Sequence, residues 1–320
     1  MSAAPTTQAT RPRATGTRPE TRGRRAAQRR RTLTFWLFVG PFAVGLVAFV
    51  YLPIAWSAVL SFFRAQNTVT PTTFVGLDNY LDMLNNEAFR NSLLTFTVFA
   101  IVIVPLTFTA SLALALLVHR TRIARAFFRS VFFLPTACSY VVAALVWKLS
   151  LFSGVRFGLA NTLLGWFDLE PVAWLSSLDP PWYWPVIVSA RLWLQVGFYM
   201  ILFLAGLQRI PKVLYEAAYM DGAAPGWQTF RHITLPQLRA TSVAVLLLNL
   251  IAAYQAFDEF YNLVGNITVA RPPLVYLYYS ALGQGQDFGH GSAGAVILAL
   301  LIALVTVAQG RIFGFGRPAE

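Results

Sequence analysis

One stretch of the chain, "PVIVSARLWLQVGFYMILFLAGLQ", places the guanidinium of Arg191 inside an otherwise uncharged run. A cation at mid-bilayer costs about 3 kcal/mol on insertion scales, so such a residue faces a cavity or a partner. Gln195 and Tyr199 share its run, and Asn249, Tyr254 and Asp258 lie in a later one. Amides, phenols and a carboxylate of this kind suit a polyhydroxylated solute. Sugar hydroxyls need paired hydrogen bonds, and aromatic rings stack on the apolar faces of sugars. Arg191 would also favour an anionic group such as a phosphate. The competing reading is that Arg191 snorkels outward or pairs with an acid of an outer loop. Both readings stay open at this level.

A second group lies at residues 215–236, "YEAAYMDGAAPGWQTFRHITLP". Pro211 stands where a helix start tolerates the missing N–H. A short helix over Lys212–Asp221, stopped by Gly222, is expected, followed by a second over about Pro225–His232. Ala217 and Ala218 would let another surface approach closely, and Glu216 would fix register against a basic partner.

Enzymatic chemistry finds no support. No Gly-x-x-x-x-Gly-Lys-Ser/Thr phosphate loop occurs, and the only lysines are Lys148 and Lys212. Gly-x-Ser-x-Gly and His-Glu-x-x-His are absent, and His119, His232 and His290 share no ligand spacing. No catalytic residue, metal site or cofactor of its own is therefore expected. The single cysteine, Cys138, cannot form a disulfide within the chain.

The elements that position these groups follow from the apolar runs. Of 320 residues, 57% are hydrophobic and 12% charged. Thr32–Phe63 and Asn91–Val118 hold no charge at all, and a bilayer core needs about 20 such residues as helix. Six spans are drawn, over roughly 34–62, 91–118, 127–149, 184–208, 240–262 and 290–311. The segment "RPPLVYLYYSALGQGQDFGHG" has too short an apolar part and reads as interfacial or re-entrant. The loop "FVGLDNYLDMLNNEAFRNS" reads as a short surface helix. The aromatic-rich loop at 150–181 reads as lying along the outer interface.

The net charge of +12 resolves into alternating blocks. With six spans, 19 of the 25 Lys and Arg residues fall on one side, and nine of the 13 acids on the other. A Lys/Arg excess marks the cytoplasmic side. Both termini and the loop at 209–239 are thus expected inside, in a multi-pass membrane protein. The basic tail holds nine arginines from Arg11 to Arg31 and no aromatic ring for base stacking. It is read as a disordered anchor touching anionic lipid, not nucleic acid. The expected organisation is a basic tail (1–32), a first transmembrane helix with its outer loop (33–90), a core (91–312) carrying the cytoplasmic loop, and a cytoplasmic end (313–320).

The residues of the loop resemble a known family. Glu216-Ala217-Ala218, Gly222 and Ile233-x-Leu235-Pro236 are similar to the EAA motif of ABC-importer permeases. The spacer between glycine and isoleucine is one residue longer than usual, so the second helix or its turn must absorb it. "FVGLDNY", "FFLPTACSYVVAALVWK" and "YQAFDEFYNL" resemble permeases of the maltose and glycerol-phosphate type. After the fifth span "LVGNITVARPP" departs from the glycine-rich outer turn of relatives. The resemblance implies an all-α polytopic membrane protein with the type I importer transmembrane fold. It implies that Glu216, Ala217, Ala218, Asp221, Gly222, Ile233, Leu235 and Pro236 couple the chain to an ATPase. The implied partners are a second permease subunit, two ATPase subunits using ATP and magnesium, and an extracytoplasmic solute-binding protein. The implied cargo is a carbohydrate moved by alternating access. An ion-coupled secondary transporter, or the same machinery for a non-sugar solute, is the alternative.

Overall fold

The computed structural model describes residues 20–312 apart from 122, 225, 266 and 284, with side chains from residue 28 onward. Residues 1–19 of the basic tail (1–32), expected to touch lipid, and the end of the chain (313–320) lie outside the described residues.

Residues 1–57 and 58–320 form two compact units. In the first, α1 (Gln28–Leu60, continuing just into the second unit) is a 33-residue helix long and apolar enough to cross a membrane. It presents exposed Phe38 and Phe49, a surface that suits lipid tails.

Among its described residues the second unit is mainly helical, with one two-stranded antiparallel pair, β1 (Phe63–Arg64) with β2 (Thr73–Phe74). The surface helix α2 (Asp78–Asn85) follows. Next comes α3 (Glu87–Arg120), capped at its start by Asn86, whose side chain accepts from Phe89 N–H. The third apolar run gives two helices rather than one: α4 (Arg125–Ala137) and α5 (Tyr140–Leu151) meet at 95°. The segment expected as one span over 127–149 is thus a bent helix pair in place of one straight helix. Pro135 closes the first piece in a 3-10 turn, and Ser139 starts the second by accepting from Val141 N–H at 3.3 Å. Between α5 and the next long helix lies α6 (Leu159–Gly165).

Helix α7 (Tyr183–Gln208) packs along α3 and is half buried. After it come α8 (Lys212–Met220), α9 (Trp227–Gln237, with a π turn at Phe230–Thr234) and α10 (Arg239–Tyr254). The last two meet at 70°. The fifth span, expected to reach 262, stops at Tyr254, and α11 (Asp258–Leu263) starts afresh beyond a break at 255–257. The segment expected not to cross gives only the nine-residue α12 (Pro273–Ala281), packed on the long α13 (Phe288–Ile312). Among the described residues, four helices are long and apolar enough to cross a membrane, or six if each bent pair counts once.

The core has two apolar clusters stacked along α3 and α7. One holds Phe96, Phe99 and Ile103 with Val186, Ile187 and Ala190, and it takes in Phe260 and Leu263 of α11. The other holds Leu112, Ala115 and Val118 with Met200, Phe203 and Leu207. Close approach at their junction depends on Gly197. A Cβ there would lie 1.9 Å from the carbonyl oxygen of Phe132 in α4. Since that obstacle is backbone, Gly197→Ala must push two helices apart. The expected cost is about 1–3 kcal/mol, read as a lower thermal transition of the detergent-solubilised protein.

Candidate functional site

The seam between the two apolar clusters is polar. Helix α7 contributes one face with Arg191, Gln195 and Tyr199 spaced four apart, so all three lie on one line down the helix. The helix has 26 residues, so at roughly 1.5 Å each it is about 39 Å long and Gln195 sits at its middle. Helix α3 adds Ser111, whose hydroxyl donates to Val196 O at 3.1 Å across the helix pair.

Arg191 is 5% exposed and held by two hydrogen bonds. Its Nη1 donates to Glu259 Oε1 at 2.6 Å, and its Nη2 donates to Ala252 O at 2.6 Å. Its Cζ stands 5.5 Å from the ring centroid of Tyr140, the first residue of α5. Tyr140 in turn accepts from Gln195 Nε2 at 2.9 Å. Two buried atoms of this group, Arg191 Nε and Gln195 Oε1, find no protein partner.

Both broken helices are needed to build this arrangement. The last carbonyls of a helix have no partner of their own. Because α10 ends at Tyr254, Gln255 N–H turns back to Ile251 O and Ala256 N–H to Ala253 O, leaving Ala252 O for the guanidinium. The break also restarts the helical register, so that Glu259, Phe260 and Leu263 of α11 point inward. The 95° bend at 137–140 brings Tyr140 to the same level.

Not all the residues expected along one path meet. Arg191 and Gln195 do, through Tyr140, and Tyr199 is buried on the same face. Asn249 instead donates to Val104 O of α3 at 3.1 Å, and Tyr254 packs edge-on against Phe96 with ring centroids 4.0 Å apart. Asp258 is exposed, and its neighbour Glu259 takes the arginine. The nearest counter-group of Arg191 within the chain is thus Glu259, an acid beyond the break after α10. Glu259 and Tyr140 were missed. The acids 258 and 259 were visible beside an apolar run, but only the helix break decides which one points inward.

The second feature is the loop between α7 and α10. Glu216 and Ala217 are exposed on α8 and Ala218 is half-buried. Asp221 caps the helix, and Gly222 turns the chain at φ +84, where an L side chain would be strained. Ala223 N–H returns to Ala218 O at 2.9 Å. Helix α9 is tied to α8 by a 2.9 Å hydrogen bond between Tyr215 Oη and Thr234 Oγ1. Ile233 is half-buried, while Leu235 and Pro236 are exposed. The longer spacer contains Gly226 at φ +116 and leads into the π turn, which holds more residues per turn than an α-helix. Around these residues Val213, Met220 and Trp227 are 68%, 88% and 71% exposed. Large apolar side chains exposed along one short loop are of the kind that protein contacts use.

Comparison with known proteins points one way. Residues 108–313 match the family model described as "Binding-protein-dependent transport system inner membrane component". The chain is 32% identical over 286 residues to the trehalose/maltose transport system permease protein MalF of Thermococcus litoralis, covering 88% of this chain and 94% of that one. It is 32% identical over 292 residues to the arabinooligosaccharides transport system permease protein AraP of Bacillus subtilis, covering 87% and 88%. It is 32% identical over 297 residues to the trehalose transport system permease protein SugA of Mycobacterium tuberculosis, covering 92% of each. In structure it resembles a bacterial ABC transporter involved in the import of the acidic polysaccharide alginate. That TM-score is 0.80 at 22% identity, covering 92% of this chain and 100% of that one, a likeness of fold.

Proposed function

Given that this chain belongs to the family of inner-membrane components of binding-protein-dependent transport systems, we propose that it is the permease subunit of an ATP-driven importer of carbohydrates. Relatives at 30% identity or more, named for trehalose, maltose, lactose and arabinooligosaccharides, support that class of solute. The chain is multi-pass in the membrane, with both termini and the loop at 209–239 on the cytoplasmic side, as the positive-inside rule favours. Its partners are a second permease subunit, two ATPase subunits that use ATP and magnesium, and an extracytoplasmic solute-binding protein. The basic tail rests on anionic lipid. The chain is not itself an enzyme.

The observation that carries this reading is the exposed helix pair α8–α9. It presents Glu216, Ala217, Asp221, Gly222, Leu235 and Pro236 outward, with Val213, Met220 and Trp227 beside them. Such a surface has no use inside this chain, so it is where the ATPase docks. The loop joins α7 directly to α10, and these two helices hold Arg191, Gln195 and the Ala252 carbonyl at the polar seam. Closure of the ATPase dimer moves the loop as a unit. The 70° joint at Leu238 and the 95° joint at 137–140 let the broken helices swing, opening the seam alternately to either side.

Affinity purification of the tagged chain from its native membranes tests the assembly. Co-purification of an ATPase and a second permease is expected. A chain that is stable and purifies alone would contradict the coupling role of the loop.

A further inference from the structure

A cavity of about 470 Å³ lies between the ends of α3 and α7 and the helix pair α8–α9. Small-molecule sites typically have roughly 300–1,000 Å³. Leu116 of α3, Leu207 of α7 and Phe230 of α9 give it an apolar lining, and Arg120 closes the end of α3 beside them. From α8 come Tyr215 and Tyr219. Local sequence shapes the α9 side. The lengthened spacer is taken up by Gly226 at φ +116 and by the π turn Phe230–Thr234, and both border the cavity. A Cβ at Gly226 would meet nothing within 4 Å, so the lining is open there.

Charge and free hydrogen-bonding groups limit what this cavity takes. Arg120 is exposed, and its guanidinium has no hydrogen bond or ion pair among the described residues. Arg125, the first residue of α4, is spent on the carbonyls of Thr121 and His119, at 3.1 and 2.7 Å. No carboxylate of the described residues lines the cavity, although α8 carries Glu216 and Asp221. A cation without a counter-charge beside a cavity attracts an anion. The threonine hydroxyls of α9 are already engaged, Thr229 with Gly226 O at 3.0 Å and Thr234 with Tyr215 Oη at 2.9 Å. Tyr219, 48% exposed, has no partner for its hydroxyl among the described residues. Arg120 and Tyr219 are therefore the groups left for a ligand.

We propose that this cavity binds a phosphorylated polyol, with Arg120 and Tyr219 on the phosphate and the carbon skeleton against Leu116, Leu207 and Phe230. This rests on the reading of the loop at 209–239 as cytoplasmic. The planar fork of an arginine takes two phosphate oxygens at once. A third oxygen remains for the Tyr219 hydroxyl, which a carboxylate, with two oxygens, does not offer. Inorganic phosphate alone would leave most of the volume empty. Two sources share this chemistry, a free sugar phosphate of the cytosol and the phosphoglycerol headgroup of a lipid. A ligand from either source bridges α3 to the helix pair α8–α9.

The test uses the whole complex in phosphatidylcholine nanodiscs, with a non-hydrolysable ATP analogue filling the ATPase subunits. Glucose 6-phosphate is titrated calorimetrically, with glucose and glucuronate as comparisons, and both of these are expected to bind about tenfold more weakly or worse. Arg120→Gln should weaken glucose 6-phosphate about tenfold, the loss of a charge-assisted contact, and Tyr219→Phe about threefold. Arg120 has no partner in the chain, so its replacement leaves the fold intact. Leu116→Trp fills the cavity and keeps the charge, and it should abolish binding. A second arm uses phosphatidylglycerol nanodiscs without free phosphate and reads the thermal transition. A rise there that Arg120→Gln and Leu116→Trp both remove, with no binding of glucose 6-phosphate, assigns the cavity to the lipid headgroup. Unchanged binding in Arg120→Gln would overturn the proposal, and unchanged binding in Leu116→Trp would place the anion outside the cavity and overturn it too. Glucuronate binding as tightly as glucose 6-phosphate would overturn the phosphate class, and no response in either arm would overturn the site. A chain that purifies without an ATPase would instead contradict the importer reading, and the same titration on the chain alone would still decide the cavity.

Discussion

Glu259→Ala is expected to be among the most destabilising single substitutions in this chain, at about 3–5 kcal/mol. The change leaves Arg191, 5% exposed, with a buried positive charge and only the Ala252 carbonyl and the Tyr140 ring as neighbours. The measured result should be low abundance in the membrane and a lower thermal transition in detergent. Arg191→Met combined with Glu259→Leu should recover most of the loss, because replacing both members of a buried pair removes the unpaired charge. Transport by the recovered double variant then separates two roles. Restored stability with lost uptake places the pair in the solute path, and restored uptake makes it purely a brace. A Glu259→Ala protein as stable as the parent would mean that water reaches the guanidinium.

The second large effect concerns the loop. Glu216→Arg together with Gly222→Arg should abolish ATP-driven uptake and the co-purification of the ATPase while leaving the chain's own stability nearly intact. Glu216 is exposed, and a Cβ added at Gly222 meets nothing within 4 Å. The cost inside the chain is confined to the strained backbone at φ +84, about 1 kcal/mol. Any larger loss must act through what docks there. Uptake and ATPase binding unchanged in this variant would remove the loop from the coupling pathway.

These predictions depend on features that differ in how far the linear chain reveals them. Glu216, Gly222 and Pro236 were legible because local rules act on them: a helix former run, a glycine stop and a proline exit. The exposure of Val213, Met220 and Trp227 was not, since an apolar residue in a loop is exposed or buried according to what packs against it. Arg191 announced itself as a charge in an apolar run, but its partner did not. Asp258 and Glu259 are chemically equivalent neighbours, and the turn at 255–257 decides that the second points inward.

Uncharged runs of bilayer length already marked the chain as a set of membrane helices, and capping and turn residues, which act over a few positions, already marked the helix–turn–helix at 212–237. Tertiary structure decided the rest. Pro135 and Ser139 permit a break, but packing of α4 and α5 against α7 opens it to 95°. The same packing joins Tyr140, Arg191, Ala252 and Glu259, residues up to 119 positions apart in the chain, into one site. Hydropathy reports how far a segment is from water. It carries no information about which side chains of different segments share a depth and a face, and that is what makes a site.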